Sequence, residues 1–363
     1  MDSGAMAQFG DSSQTWGVPL EAISCAHCGV AHLVVVGELP STCPYCQHSP
    51  VMRRPELMRM EALEQMVPYG VEERALAEIV ERWLRGVWLR PKELSPSLLL
   101  QRVHRYLIPA WLVDGHIEGP WQADVGSNYQ VVSSQDRYRE GEGWRSQQVR
   151  ETRVSWEPRV GRLSRDYQNV VTSALEDRGA LMDQVGPFDL DQRVAYQREM
   201  LAGAVIRLPM LDPGAAWPRV EPAFISAAEA DCARATEADH IRQFAVEAQF
   251  GGLHWTLLVL PAYVTWYREG DEIWPVLING QSGKVSGVRR ASMQKARTAS
   301  LGLGVAALLA FLIGALLAAA GLALPPLAAV GSILLVLGVV LAVLAPIPAV
   351  AVWAFNRRSR APL

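Results

Sequence analysis

Four of the five cysteines in this 363-residue chain fall in one cluster. Cys25-Ala-His-Cys28-Gly is followed, after 14 intervening residues, by Cys43-Pro-Tyr-Cys46. Thiolates are soft, charged ligands, and two Cys-x2-Cys knuckles supply the tetrahedral sulfur set that Zn takes in structural sites. Gly29 admits a tight backbone turn after the first pair, and Pro44 stiffens the second. Protein fills all four positions, so Cys25, Cys28, Cys43 and Cys46 are expected to hold one structural Zn, not a hydrolytic one. Rubredoxin-like Fe sites use similar pairs, which makes Fe the second choice. His27, His32 and His48 lie nearby and read as surface groups or neighbours of the site. The ribbon is placed at residues 25–48, with a short strand from Leu33 to Val36. So small a unit has little core, and metal binding would supply much of its folding energy.

No catalytic constellation stands out elsewhere, and no catalytic or organic-cofactor residue is assigned. Asp114, His116 and Glu118 alternate and would share one strand face, which could in principle hold a metal. Their setting between Val113 and Gly119 reads instead as a polar turn. His240 and His254 have no nucleophile or carboxylate partner in sequence. Cys232, placed early in a helix, reads as a small packing residue. Gly280-Gln-Ser-Gly-Lys284 superficially resembles a phosphate loop, but Ile278 stands where Gly is needed and Val285 where Ser or Thr is needed. Lys284 is therefore expected in a solvent-facing turn.

Around these residues the chain reads as an α+β soluble region with an N-terminal zinc ribbon and a C-terminal transmembrane hairpin. Residues 1–24 lack the basic start and apolar run of a signal peptide and read as a disordered leader. Residues 49–67 read as a linker whose Met52, Leu57, Met58, Met60 and Met66 pack against the next domain, residues 68–288. There a helix fits about 72–85, with Leu76, Ile79, Val80, Trp83 and Leu84 on one face and Gly86 to end it. A second helix fits 227–248, begun by the capping box Ser226-Ala-Ala-Glu229 and burying Ile241, Phe244, Ala245 and Ala248. Each helix precedes a related segment: Pro109-Ala-Trp-Leu-Val-Asp-Gly-His-Ile-Glu-Gly resembles Pro261-Ala-Tyr-Val-Thr-Trp-Tyr-Arg-Glu-Gly, 152 residues on. Both read as a strand, a turn and a returning strand, which hints at an internal duplication. Gln147 to Pro158 and Asn169 to Ser173 have β-type composition, separated by what read as exposed turns. Ile273 to Ile278 and Lys284 to Val288 form a hairpin opened by Asn279-Gly280.

From Ala299 to Phe355 the chain has 57 residues without a charge. A span needs about 20, so two are expected, at 299–324 and within 325–355. Pro325-Pro326 falls where the turn should be, and Pro346 and Pro348 predict a kink or irregular end in the second span. Beyond Val288 there are seven basic residues and no Asp or Glu. The first 288 residues therefore carry −10, the −3 of the whole chain less those seven cations. An acidic soluble region argues against non-specific nucleic-acid binding, and the ribbon contains no Lys or Arg. The basic segment 289–298 and tail 356–363 predict an inner (cytoplasmic) membrane protein, multi-pass, with both termini cytoplasmic. They also suit anionic membrane lipids. Neither span carries an ionisable group that a transport path would need.

The combination resembles a bacterial family of membrane proteins with a TFIIB-type zinc ribbon, often labelled primosomal-helicase-like. The resemblance rests on the cysteine pairs, Val67-Pro-Tyr-Gly-Val71, Trp88-Leu-Arg-Pro91, Ile108-Pro-Ala-Trp-Leu112, Leu260-Pro-Ala-Tyr263 and Val276-Leu-Ile-Asn-Gly-Gln-Ser-Gly-Lys-Val-Ser-Gly287. Ala110 and Ala262 depart from it, standing where a bulkier residue is expected. The helicase label does not transfer, since the phosphate loop is missing. Some members resemble membrane partners of SPFH-domain and phage-shock-type proteins, which implies an adaptor or scaffold. Residues around Trp111 and Tyr263 are candidates for its partner-binding surface, with a place in the core as the alternative for either. The alternatives are a zinc-ribbon nucleic-acid-binding protein and a sensor of lipid or a small molecule.

Overall fold

The structure, a computed structural model, describes residues 15–58, 61–139, 143–176, 180–270, 272–320, 322 and 324–358. A single 12-stranded sheet organises the chain ahead of its C-terminal helices. The ribbon contributes β1 (Leu20–Cys25), β2 (Ala31–Val35) and β3 (Val51–Arg53). Next come β4 (Leu63–Met66), α1 (Leu76–Trp83), α2 (Pro96–Gln101) and the long pair β5 (His104–Arg139) and β6 (Gly143–Ser173). After α3 (Ala180–Val185), β7 (Val194–Ala195) and β8 (Ala204–Arg207), α4 (Pro213–Ala235) leads to β9 (His240–Val246). The sheet closes with β10 (Gln249–Glu269), β11 (Glu272–Asn279) and β12 (Val285–Gly287).

Antiparallel β5 and β10 form the centre of the sheet. Tyr106 to Val113 and Thr256 to Val264 are buried without interruption, because both faces of these strands are covered. On one face, Leu107, Trp111 and Val113 pack with Val220, Phe224 and Ala228 of α4. Farther along that face, Tyr263 and Tyr267 meet Leu76 and Val80 of α1 and Leu99 of α2. On the other face, Tyr106, Ile108, Leu258 and Leu260 pack with Leu181 and Val185 of α3.

Ile108 lies opposite Leu260, and these residues are themselves 152 apart, so a local two-fold axis passes between them. The neighbours obey the same relation. Ala110 faces Ser173 on β6 as Ala262 faces Asn279 on β11. Arg105 lies beside Ala204 on parallel β8 as Leu257 lies beside Leu63 on parallel β4. Trp111 Nε1 donates to the Leu211 carbonyl at 2.9 Å, and Tyr263 OH donates to the Val71 carbonyl at 2.7 Å. Met210 and Leu211 both donate to the Ala174 carbonyl, as Gly70 and Val71 both donate to that of Gly280. Trp111 and Tyr263 are therefore equivalent anchors inside the core, 3% and 1% exposed, and not a partner-binding surface.

Several expectations change here. Residues 15–24 of the expected leader are ordered by Trp16, which is buried, and by β1; residues 1–14 lie outside the described set. The ribbon extends past 25–48 at both ends, since β1 begins at Leu20 and β3 lies in the expected linker. That linker is also no tether: β4 pairs with β10, Met66 is core, and Leu57 and Met58 pack against it. Met52 is exposed, and Met60 lies outside the described residues. The helix expected at 72–85 is present as a 3-10 turn running into α1, and Gly86 ends it with φ +80°. The one expected at 227–248 runs instead from Pro213 to Ala235, capped by Asp212, whose carboxylate accepts from Ala215 N at 2.8 Å. Ile241, Phe244 and Ala245 belong to β9, which finds an open edge of β5 at Trp121 to Gly126.

In the second repeat Pro261 to Glu269 is a single run of β10, and the turn comes only at Gly270, the segment's last residue, with the return supplied by β11. In the first repeat Pro109 to Gly119 runs straight through as β5, and β6 is one strand across the turns expected between 158 and 169. Gly119 is needed for close approach, since a Cβ there would collide with the Glu247 carbonyl.

The C-terminal chain forms α5 (Met293–Ala320), α6 (Pro325–Leu344) and α7 (Ile347–Arg358). Two helical stretches, Met293–Ala320 and Pro325–Arg358, are long and apolar enough to cross a membrane. Pro325 and Pro326 start α6 and do not form the turn, because proline suits the first helical positions. The break near Pro346 is as expected. Helices α5 and α6 approach closely through small residues: a Cβ on Gly314 would stand 2.8 Å from Leu335 N. Asn356 at the far end returns to the start of α5, accepting from Ala291 N at 2.8 Å and donating to Ala291 O at 2.9 Å. Both ends of the hairpin thus dock together under the sheet, with Ala296 and Val352 packed among Leu76, Leu84 and Tyr267.

Candidate metal centre

The β1–β2 turn presents Cys25 and Cys28, and β3 pairing with β1 brings the second knuckle back over the first. Cys25 Sγ and Cys46 Sγ are 3.6 Å apart, Cys28 Sγ and Cys43 Sγ 3.8 Å, and all four sulfurs lie within 4.8 Å of one another. A tetrahedron with Zn–S bonds of about 2.3 Å has edges of about 3.8 Å. The donor set fits the ion.

The two knuckles repeat one backbone design. His27 N points at Cys25 Sγ and Tyr45 N at Cys43 Sγ, each at 3.4 Å. Gly29 N donates to Cys25 O and Gln47 N to Cys43 O. Gly29 has φ +71° and Gln47 φ +60°, so Gln47 occupies a position that favours glycine. Its side chain is held there by Thr42 Oγ1 at 3.2 Å and the Pro44 carbonyl at 3.3 Å. Cys25, Cys43 and Cys46 are buried and Cys28 is half-buried. The hydrogen bond from Cys28 lowers Cys43 to about 5, and the same bond, with burial, drives Cys28 upward. Burial raises Cys46 to about 11. Holding all four cysteines as thiolates at this spacing needs a counter-cation, which a divalent metal would supply.

The ribbon is fused to the sheet. Leu33 on β2 pairs with Ile206 on β8, and His32 is buried with Nε2 2.9 Å from Tyr106 OH. His104 Nε2 lies 3.1 Å from the Pro44 carbonyl, so the second knuckle rests on the start of β5. Among the described residues one other group could hold an ion, His27, Cys46 and His48, but it shares Cys46 with the buried sulfur set. Arg53 and Arg54, the cations that follow the ribbon in sequence, are in ion pairs with Glu21 (2.8 Å) and Glu56 (3.3 Å), and Arg207 on β8 lies opposite His32 with its guanidinium 6.0 Å from the Tyr45 ring.

The remaining candidates are separated. Asp114, His116 and Glu118 do share a strand face, in a continuous strand and not a turn, but Asp114 is spent on Asn169 N at 2.7 Å. His116 Nδ1 meets Asp166 Oδ1 at 2.7 Å and its Nε2 lies 3.2 Å from Ser164 Oγ. Sequence reasoning missed this relay, because it depends on the register that sets Asp166 opposite His116 across β5 and β6. It lies on an open sheet face with Asp166 79% exposed, and among the described residues it lines none of the four cavities at α5, at the ribbon, between the apolar helices and beside β7. Cys232 is buried near the end of α4, not early in a helix, and burial raises its thiol. His240 bonds Asn128 Oδ1 at 3.1 Å, while His254 and Lys284 are exposed.

No family model, curated protein or solved structure matches the chain. Its own geometry gives a mixed α+β domain, a four-cysteine cluster able to bind a metal, and two C-terminal apolar helical stretches of membrane-spanning length.

Proposed function

We propose that the protein is a membrane-anchored adaptor. In this reading α5 and α6–α7 cross the inner membrane as a hairpin with both chain ends cytoplasmic. The ribbon holds one structural Zn, and the sheet presents a docking element to a protein partner. The observation that carries the reading is the outer part of the β5–β6 hairpin. Its last contact with a third strand is Gly126 opposite His240 on β9. Beyond it, Ser127 to Arg139 and their β6 partners continue as a two-stranded arm. At about 3.3 Å per residue the arm is about 43 Å long.

A bare two-stranded ribbon is marginal in water, and its open edges are templates for an added strand. Near its end Tyr138 and Trp144 pack against each other with ring centroids 5.6 Å apart and planes tilted by 59°, 61% and 73% exposed. Strand β5 starts at the end of the sheet where β10 runs out beside α5, so the arm projects away from the anchor. A metal site with no open position serves to brace the base of this sheet, not to react. The partner class implied by the family resemblance is an SPFH-domain or phage-shock-type protein.

The test places a photo-crosslinking residue at Tyr138 in the full-length protein in cells. The expected outcome is one discrete adduct with a protein of that class, lost when the same residue is placed at the buried Tyr263. Uncrosslinked monomer alone at Tyr138, at several positions along the arm, refutes the docking role.

A further inference from the structure

Where the folded region meets the first apolar helix there is a cavity of about 950 Å3. Its walls come from the segment before α2, Arg102 just after it, the end of β10 and the first two turns of α5. Four cationic side chains line it, Lys92, Arg102, Arg268 and Lys295, against two carboxylates, Glu93 and Glu269. Arg102 is fixed in the wall: it pairs with Glu93 at 2.7 Å and lies 4.0 Å above the Trp266 ring. Lys295 is tied by one hydrogen bond, 2.8 Å to the Arg90 carbonyl. Among the described residues Lys92 and Arg268 are in no ion pair, and both are exposed. The cavity therefore keeps uncompensated positive charge around a partly aromatic wall.

Its position along the helix identifies the source of the anion. Gln294, Lys295, Thr298 and Ala299 form its floor, and Ala299 is where the uncharged run begins. At helical spacing the stripe through Gln294 and Thr298 continues to Leu301, Val305 and Leu308, all exposed and apolar. A charged pocket thus opens directly onto an apolar track. A free phosphate uses only the pocket; a phospholipid uses both.

We infer that this cavity binds the headgroup phosphate of an anionic phospholipid whose acyl chains lie along α5. The inference rests on the membrane-spanning half of the proposed function and adds a lipid-specific site to it. Lys92 and Arg268 make the phosphate contacts, Lys295 supports them from the helix, and the Arg102–Trp266 stack shapes the wall.

The experiment uses the full chain in phosphatidylcholine nanodiscs, titrated with phosphatidylglycerol and read by native mass spectrometry. Phosphatidylglycerol should be retained in preference to phosphatidylcholine. The Lys92→Gln/Arg268→Gln variant, altered only at exposed side chains, should bind it roughly 30-fold more weakly, from about a fivefold effect per interfacial cation. Arg297→Gln/Arg358→Gln, which removes flanking charge outside the cavity, should lose far less. Equal losses in both variants would reassign the effect to diffuse surface charge and overturn the site. Displacement by glycerol phosphate at the same concentration as the lipid would show a free-anion pocket and overturn the lipid assignment. Failure of the chain to enter nanodiscs at all would instead refute the membrane reading beneath it; insertion without lipid preference refutes the cavity alone.

Discussion

His32 offers a quantitative test of how the ribbon is joined to the sheet. Burial, then the nearby Arg207 and His104, lower its pKa from 6.5 to about 3, and its Nε2 lies 2.9 Å from Tyr106 OH. The imidazole is therefore neutral in the folded chain and protonated in the unfolded one below the ordinary histidine range. The unfolded state binds the extra proton, so stability falls as pH drops from about 6.5 toward 3. With those two values, linkage gives a loss of about 2 kcal/mol between pH 7.5 and 5, and about 3 kcal/mol at pH 4. The assay is urea unfolding of the full chain in mild detergent, followed by tryptophan fluorescence at each pH. His32→Gln removes the titrating ring, while carboxylates and thiols titrate alike in both proteins and cancel in the difference. Wild type should lose about 2 kcal/mol more than the variant on going to pH 5. Parallel pH slopes would refute the docking of His32 against β5.

Replacing one metal ligand, Cys43→Ser, should reduce bound Zn from about one per chain to near zero by elemental analysis and expose the ribbon to protease. The apolar helices should still enter the membrane, since their transfer does not depend on the metal. For topology, a reporter cysteine at Leu322 should be labelled from outside intact cells by an impermeant reagent and one at Arg358 protected. Labelling at Arg358 and protection at Leu322 would reverse the orientation and remove the cytoplasmic adaptor.

The metal set was legible because Cys-x2-Cys spacing is local: a knuckle is closed by bonds such as Gly29 N to Cys25 O, which depend on neighbouring residues alone. The apolar C-terminal stretches were legible for the same reason, since length and hydropathy belong to a segment by itself. The 152-residue similarity was visible as well, although not its meaning. What the fold decided was everything that depends on a partner strand. Ser226-Ala-Ala-Glu229 has the form of a capping box, yet Asp212 and Pro213 start the helix earlier. Phe244 and Ala245 left the helix because β5 offers them an open edge far away in sequence. Trp111 and Tyr263 became buried anchors when β5 and β10 paired about Ile108 and Leu260. The cavity over α5 likewise needs Lys92, Arg268 and Lys295 from three separate segments. Register and assembly are set by which surfaces can be buried together, and that competition among distant segments is decided only when the whole sheet closes.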